Sequence, residues 1–137
     1  MSTKNIIRVA IRAAKESSGD FKLSAVLYKG GSVLRVIGNS PKSIGYRRGL
    51  FKYEPTRHAE INALHNMPRD VLKECNMLVV RVDANGNLTS AKPCRACLMA
   101  LKKAEISKVA YSNYNGEIVK INPSLIDLNK WHKEIFS

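Results

Sequence analysis

The sequence predicts a layered α/β fold in which helices cover both faces of a mixed β-sheet. Apolar residues recur at helical spacing near 5–16, 56–67 and 94–104. Between these segments lie short runs rich in β-branched residues, S-V-L-R-V-I and M-L-V-V-R-V among them. After an opening hairpin signal the order becomes helix, strand, helix, strand. Recurring strand–helix–strand units of this kind favour a sheet covered on both sides.

Each element has a local reason. In 5–16, Ile6, Ala10 and Ala13 fall on one side with Ile7, Ile11 and Ala14 beside them, and Ser17-Ser18-Gly19 ends the helix. Leu23–Leu27 and Ser32–Ile37 read as strands joined by a tight turn at Lys29-Gly30-Gly31. Residues 38–55 hold three glycines and two prolines and read as a long functional connection. A helix starting near Thr56 turns inward either Ala59, Ala63 and Asn66 or Ile61, Leu64 and His65, and Pro68 ends it. Met77–Val82 is a strand, followed by a turn at Asn85-Gly86. In 94–104, Cys94, Cys97, Leu98 and Leu101 form one stripe. Val109–Tyr111 is a further strand, Asn115-Gly116 turns the chain, and Glu117–Ile121 extends or pairs with it. The tail, 124–136, reads as a short helix with Leu125, Leu128 and Trp131 on its apolar side.

The 137 residues fit a single domain, 1–137. A chain of this size removes roughly two thirds of its unfolded surface from water. With 45% apolar and 25% charged residues, disorder is not expected. No apolar run reaches membrane-span length, and the start lacks a signal-peptide pattern. The expectation is a soluble, intracellular (cytoplasmic) protein with no membrane partner. Three cysteines make no disulfide framework and suit a reducing compartment.

The net charge of +12 points to a phosphate-bearing partner, nucleotide or nucleic acid, with a merely solvated basic surface as the alternative. Lys42, Arg47, Arg48, Lys52 and Arg57 directly precede His58, with only Glu54 opposing them. Charge alone does not separate a nucleotide from a polymer.

Two stretches carry the chemistry: T-R-H-A-E-I-N-A-L at 56–64 and P-C-R-A-C at 93–97. Cys94 and Cys97 are about one helical turn apart, so both sulfurs can meet one metal, and Pro93 suits a helix entry. A redox dithiol has the same spacing. A structural zinc would recruit a fourth protein ligand such as Cys75 or His65. His58 shifts the balance: it starts its own helix, and a His-Cys-Cys set leaves one zinc position open for water. Glu60 then stands where a base is needed to take a proton from that water. The residues therefore favour a catalytic zinc over a structural zinc or a redox pair.

H-A-E at 58–60 followed by P-C-R-A-C at 93–97 resembles the zinc-dependent cytidine and deoxycytidylate deaminase superfamily, over about residues 5–121. The resemblance implies a three-layer α/β/α fold with about five strands in a mixed sheet. It implies one Zn2+ held by His58, Cys94 and Cys97 with a bound water, Glu60 as the proton shuttle, and the Ala59 backbone N–H on the base. H-A-E-I-N-A, with Asn62 and Ala63, is similar to the deoxycytidylate branch, and tRNA adenosine deaminases have a similar helix. Asn39, in I-G-N at 37–39, takes the place of a sugar-hydroxyl contact. Lys92 stands in S-A-K-P-C where many relatives carry L-E-P-C, and it would meet a phosphate or face water. No extra His-Cys cluster for a second, structural zinc is present in the sequence. Many small members of the superfamily are homo-oligomers, so an oligomer is expected here on resemblance.

Arg57 and Tyr111 complete the expected substrate contacts. Arg47, Arg48 and Lys52, interleaved with Tyr46, Phe51 and Tyr53, are candidates for phosphate or nucleic-acid contacts. Tyr111 and Tyr114 follow a strand at which the superfamily often recognises its substrate. The leading expectation is a cytosine-containing nucleotide converted to its uracil form with release of ammonia. The alternative is cytosine or adenine in single-stranded DNA or RNA, tRNA included. A reading of another class is a non-catalytic, zinc-containing nucleic-acid-binding module, against which an intact Glu60 argues. Cys75 and His65 read as core or helix-face residues, His132 as surface, and Trp131 as a tail anchor. Lys102, Lys103 and Lys108 read as a solvated helix end, with a phosphate track as the alternative.

Overall fold

The computed structural model describes residues 3–17, 22–38 and 59–131. Helix α1 spans Thr3–Glu16 and buries Ile6, Ala10 and Ala14, each one turn after the last. Strands β1 (Lys22–Lys29) and β2 (Ser32–Gly38) form the expected antiparallel hairpin. Gly30, at φ 55°, takes the left-handed conformation at its turn. Helix α2 covers Ala59–Leu64, and Asn66 leaves it with φ 60°, a usual way for a helix to stop. A four-residue helix, α3 (Arg69–Leu72), follows. Strand β3 is Asn76–Val82 and β4 is Leu88–Thr89. Helix α4 is Arg95–Lys103, and β5 (Lys108–Ser112) and β6 (Ile118–Ile121) form a second hairpin.

The sheet runs β2-β1-β3-β5-β6, with β4 attached to β3. Among the described strands only β3 and β5 pair in parallel; β1 is antiparallel to both β2 and β3. This is the expected mixed sheet, with the crossover through α4 supplying the parallel pair. Strand alternation divides the core in two. Val26, Leu78, Val80, Val82 and Ala110 face α1. Ala25, Leu27, Met77, Val79, Val109 and Tyr111 face the other way, against Ala59 and Ala63 of α2, Leu72 of α3 and Leu101 of α4. The result is the three-layer α/β/α arrangement. Because β3 is buried on both faces, it is the energetic centre: each fully buried Val or Leu contributes about 1.5–3 kcal/mol.

Three details differ from expectation. Pro68 does not simply end a helix; it stands immediately before α3, whose single turn buries only Leu72 and has no periodicity to detect. Strand β4 is two residues long, too short for a pattern. The tail is not an α-helix through Trp131. Pro123–Leu125 makes one 3-10 turn, capped by the Asn122 side chain, and Leu125 is 81% exposed instead of lying on an apolar face. Lys102 Nζ holds the Ile126 carbonyl at 2.6 Å, so tertiary contact has replaced helical hydrogen bonding there. The long connection expected over 38–55 and the helix start at Thr56 fall almost wholly outside the described residues.

Gly38 ends β2 tightly against the end of α1. A Cβ there would lie 2.8 Å from Ser17 Cβ and 3.4 Å from its Cα. Neither atom is the far end of a flexible side chain, so the backbones would have to separate. Gly38→Ala is expected to destabilise the chain by about 1–3 kcal/mol. A thermal melt checks this, and an unchanged midpoint would mean that the α1–β2 contact yields freely.

Candidate active site

The described site is assembled from two helix starts. Glu60 is the second residue of α2; Cys94 is the N-cap of α4, and Cys97 lies in its first turn. The Cys94 sulfur accepts a hydrogen bond from the Cys97 backbone N–H at 3.4 Å, as an N-cap side chain does. The hydrogen bond from Leu98 N–H to the Cys94 carbonyl, 2.9 Å, closes the first turn. Glu60 is only 3% exposed and Cys97 is fully buried.

The Cys97 thiol is within hydrogen-bonding reach of both the Cys94 sulfur and the Glu60 carboxylate. Its pKa is pushed far up, first by the Cys94 contact, then by burial, then by the charges of Glu60 and Cys94. One carboxylate and two thiols thus crowd a buried space in which every neighbour acting on Cys97 opposes its thiolate. A divalent cation among them reverses that logic, because a coordinated thiol is deprotonated outright. Cys94 and Cys97 supply two donors of the kind that zinc prefers.

Several parts of the fold hold this place. Arg35 of β2 donates to the carbonyls of Ala63 and His65, so a cation caps the end of the helix that carries Glu60. Ser112, at the end of β5, is buried and donates to the Thr89 carbonyl at 2.6 Å, while its own carbonyl accepts from Ala91 N–H at 2.8 Å. These bonds fix the segment leading into Pro93. Trp131 Nε1 donates to the Pro93 carbonyl at 2.8 Å. Lys92 Nζ lies 4.5 Å from the centre of the Trp131 ring, and Tyr111 meets that ring edge-on at 6.4 Å. Arg95 reaches Asn129 at 3.4 Å, so the tail is strapped across the start of α4.

The structure brings together Glu60, Cys94 and Cys97 of the expected site residues. Ala59 is buried at the first position of α2. Lys92 is half-buried on Trp131, and Tyr111 is buried in β5. His58, Arg57, Asn39, Arg47, Arg48 and Lys52 lie outside the described residues. Among the described residues no group of three or more His, Cys, Asp and Glu side chains forms a metal site, and the expected set contributes only its two cysteines to them. Arg35 and Ser112 escaped sequence reasoning; a lone arginine in the apolar run V-L-R-V-I was the available signal for the first. Cys75 is buried, donates to the Val71 carbonyl at 3.0 Å, and has its thiol pKa raised by burial. A groove of about 500 Å³ between the outer sides of α2 and α4 is lined by Ile61, Leu64, His65 and Met99, and by none of the three converging groups.

The chain belongs to the family described as the cytidine and deoxycytidylate deaminase zinc-binding region, whose sequence profile matches residues 1–113. The fold is also that of a cytidine deaminase from Burkholderia pseudomallei, solved as a crystal structure. The two chains are 20% identical, with a TM-score of 0.63, covering 90% of this chain and 94% of that one. Comparison with curated proteins gives no match. Among the described residues no helix is long and apolar enough to cross a membrane.

The bond from Trp131 to Pro93 links the tail to the cysteine loop. Trp131→Phe keeps a ring and removes the donor. It is expected to lower stability by about 1 kcal/mol, and to speed labelling of Cys94 and Cys97 by a thiol reagent in the metal-free chain. Unchanged labelling kinetics would show that the tail does not restrain the loop.

Proposed function

We propose that the chain is a zinc-dependent hydrolytic deaminase that converts cytosine to uracil in a cytidine or deoxycytidine nucleotide and releases ammonia. The observation that carries this reading is the buried Glu60 set against the Cys94–Cys97 pair, in a chain of the deaminase family. A purely structural site would gain nothing from a buried carboxylate that raises the pKa of a ligand thiol.

His58, Cys94 and Cys97 would hold the zinc. When bound, zinc would make hydroxide available near neutral pH. Glu60 accepts the proton of the attacking water on its carboxylate and delivers one to the ring nitrogen of the base. It then takes the second proton of that water from the new hydroxyl on the base carbon and passes it to the departing amine, so one group serves twice as base and twice as acid. Burial of Glu60 excludes bulk water from that transfer. The backbone N–H of Ala59, at the first turn of α2, is the donor offered to the base carbonyl. Asn39 is assigned to the sugar. Lys92, Arg57 and Tyr111 are assigned to the substrate, and Arg47, Arg48 and Lys52 to phosphate. Lys92 directly precedes Pro93 in the chain, and its ammonium lies over the Trp131 ring.

A second reading has one observation in its favour. The net charge of +12 suits cytosine or adenine within a single strand, tRNA included, better than it suits a mononucleotide.

The purified chain is expected to contain about one zinc, on the ligand set assigned above, and to release ammonia from a cytosine nucleotide. Glu60→Gln should retain the metal and lose about 10²–10⁴-fold in kcat. Full activity in that variant would end the proton-shuttle assignment, and no release from any base would favour a zinc-containing binding module. Substrate class is read from a panel of CMP, dCMP, cytidine, deoxycytidine, guanine and cytosine- or adenine-containing single strands at matched salt. A preferred single strand whose turnover collapses as salt rises would replace the nucleotide reading with the polymer one.

A further inference from the structure

Helix α1 lies on the face of the sheet opposite Glu60 and the cysteines, and its outward side is cationic. Lys4, Arg8, Arg12 and Lys15 are all exposed. At 100° per residue they fall within about 80° of one another and form a stripe about 16 Å long with neighbours about 6 Å apart. Glu16, paired with Arg12 at 3.5 Å, is the acid beside them.

Helix stability does not account for this pattern. The first turn holds no acidic residue and carries Lys4, although the helix dipole favours negative charge there. Lys4–Arg8 and Arg8–Arg12 are like-charge pairs at i,i+4, which weaken a helix. The apolar side of α1 is already committed to the sheet through Ile6, Ala10 and Ala14.

We propose that the outward face of α1 is a docking surface for the sugar–phosphate backbone of a nucleic-acid strand. A row of point charges spread over about three turns cannot converge on a single phosphate; it complements a row of phosphates. An anionic membrane is the poorer match, since interfacial helices insert an apolar face and that of α1 is buried. The docking does not depend on the zinc reading.

The test is fluorescence anisotropy of a labelled oligouridylate with the full chain over a salt series; such a strand offers no amine to remove, so binding is read apart from any deamination. Lys4→Gln, Arg8→Gln and Lys15→Gln together should weaken binding about tenfold or more at low salt. They should also make the slope of log affinity against log salt shallower by about 2, at about 0.7 per lost phosphate contact on a single strand. A matched triple on other exposed positions, Arg69→Gln, Lys103→Gln and Lys130→Gln, removes the same charge and should leave affinity within about twofold. Equal losses in both triples would reduce the effect to net charge and overturn the proposal. No loss in either would do the same. So would tighter, stripe-dependent binding to phosphatidylserine vesicles than to the strand. Circular dichroism confirms that both triples are folded.

Discussion

The contact on which the rest of this structure depends is the meeting of Glu60 with the Cys94–Cys97 pair. It joins two segments over thirty residues apart in the chain, each at the start of a helix. The buried Cys97 thiol is held beside Cys94 and the buried Glu60 carboxylate, neighbours that oppose its ionisation and whose effect a cation would reverse. The central strands make it possible. Because β3 and β5 are parallel, α4 must cross back over the sheet between them, and its start returns to the edge where α2 also starts.

Around that contact the polar supports are specific and the apolar ones generic. Arg35 ends α2, Ser112 fixes the approach to Pro93, and Trp131 closes over the Pro93 carbonyl. Each satisfies a backbone group near the site that burial would otherwise leave costly. The apolar core beneath, with Val79, Met77, Leu27 and Leu101 fully buried, sets position to within a side chain but supplies no direction. Direction comes from the hydrogen bonds. The site is thus stiffened from a second-strand arginine, a fifth-strand serine and a tail tryptophan, none of which belongs to the H-A-E or P-C-x-x-C motifs.

The legibility of the elements followed their length and periodicity. Helix α1, the hairpin of β1 and β2, strand β3 and helix α4 were readable because each repeats its pattern several times or carries turn chemistry such as Gly30-Gly31. Helix α3 and strand β4 were not, because four and two residues cannot display a period. The tail was misread for a different reason. Leu125, Leu128 and Trp131 do have helical spacing, yet Pro123, the Asn122 cap and the hold of Lys102 on Ile126 fix a 3-10 turn instead. There the tertiary hydrogen bond outweighed a weak local preference.

By itself the sequence determined which residue types meet, since a cysteine pair at one-turn spacing, a glutamate two positions after a histidine, and a strong excess of cations can each be read from identity and spacing alone. Even the layered sheet was implied by the order of periods. What only the tertiary structure decided is adjacency across sequence distance: that Glu60 faces Cys97, that Arg35 reaches the end of α2, and that Trp131 lies on Pro93 thirty-eight residues away. The physical reason is that such contacts are fixed by strand order and register. Those are properties of the whole packed sheet, and no local segment encodes them.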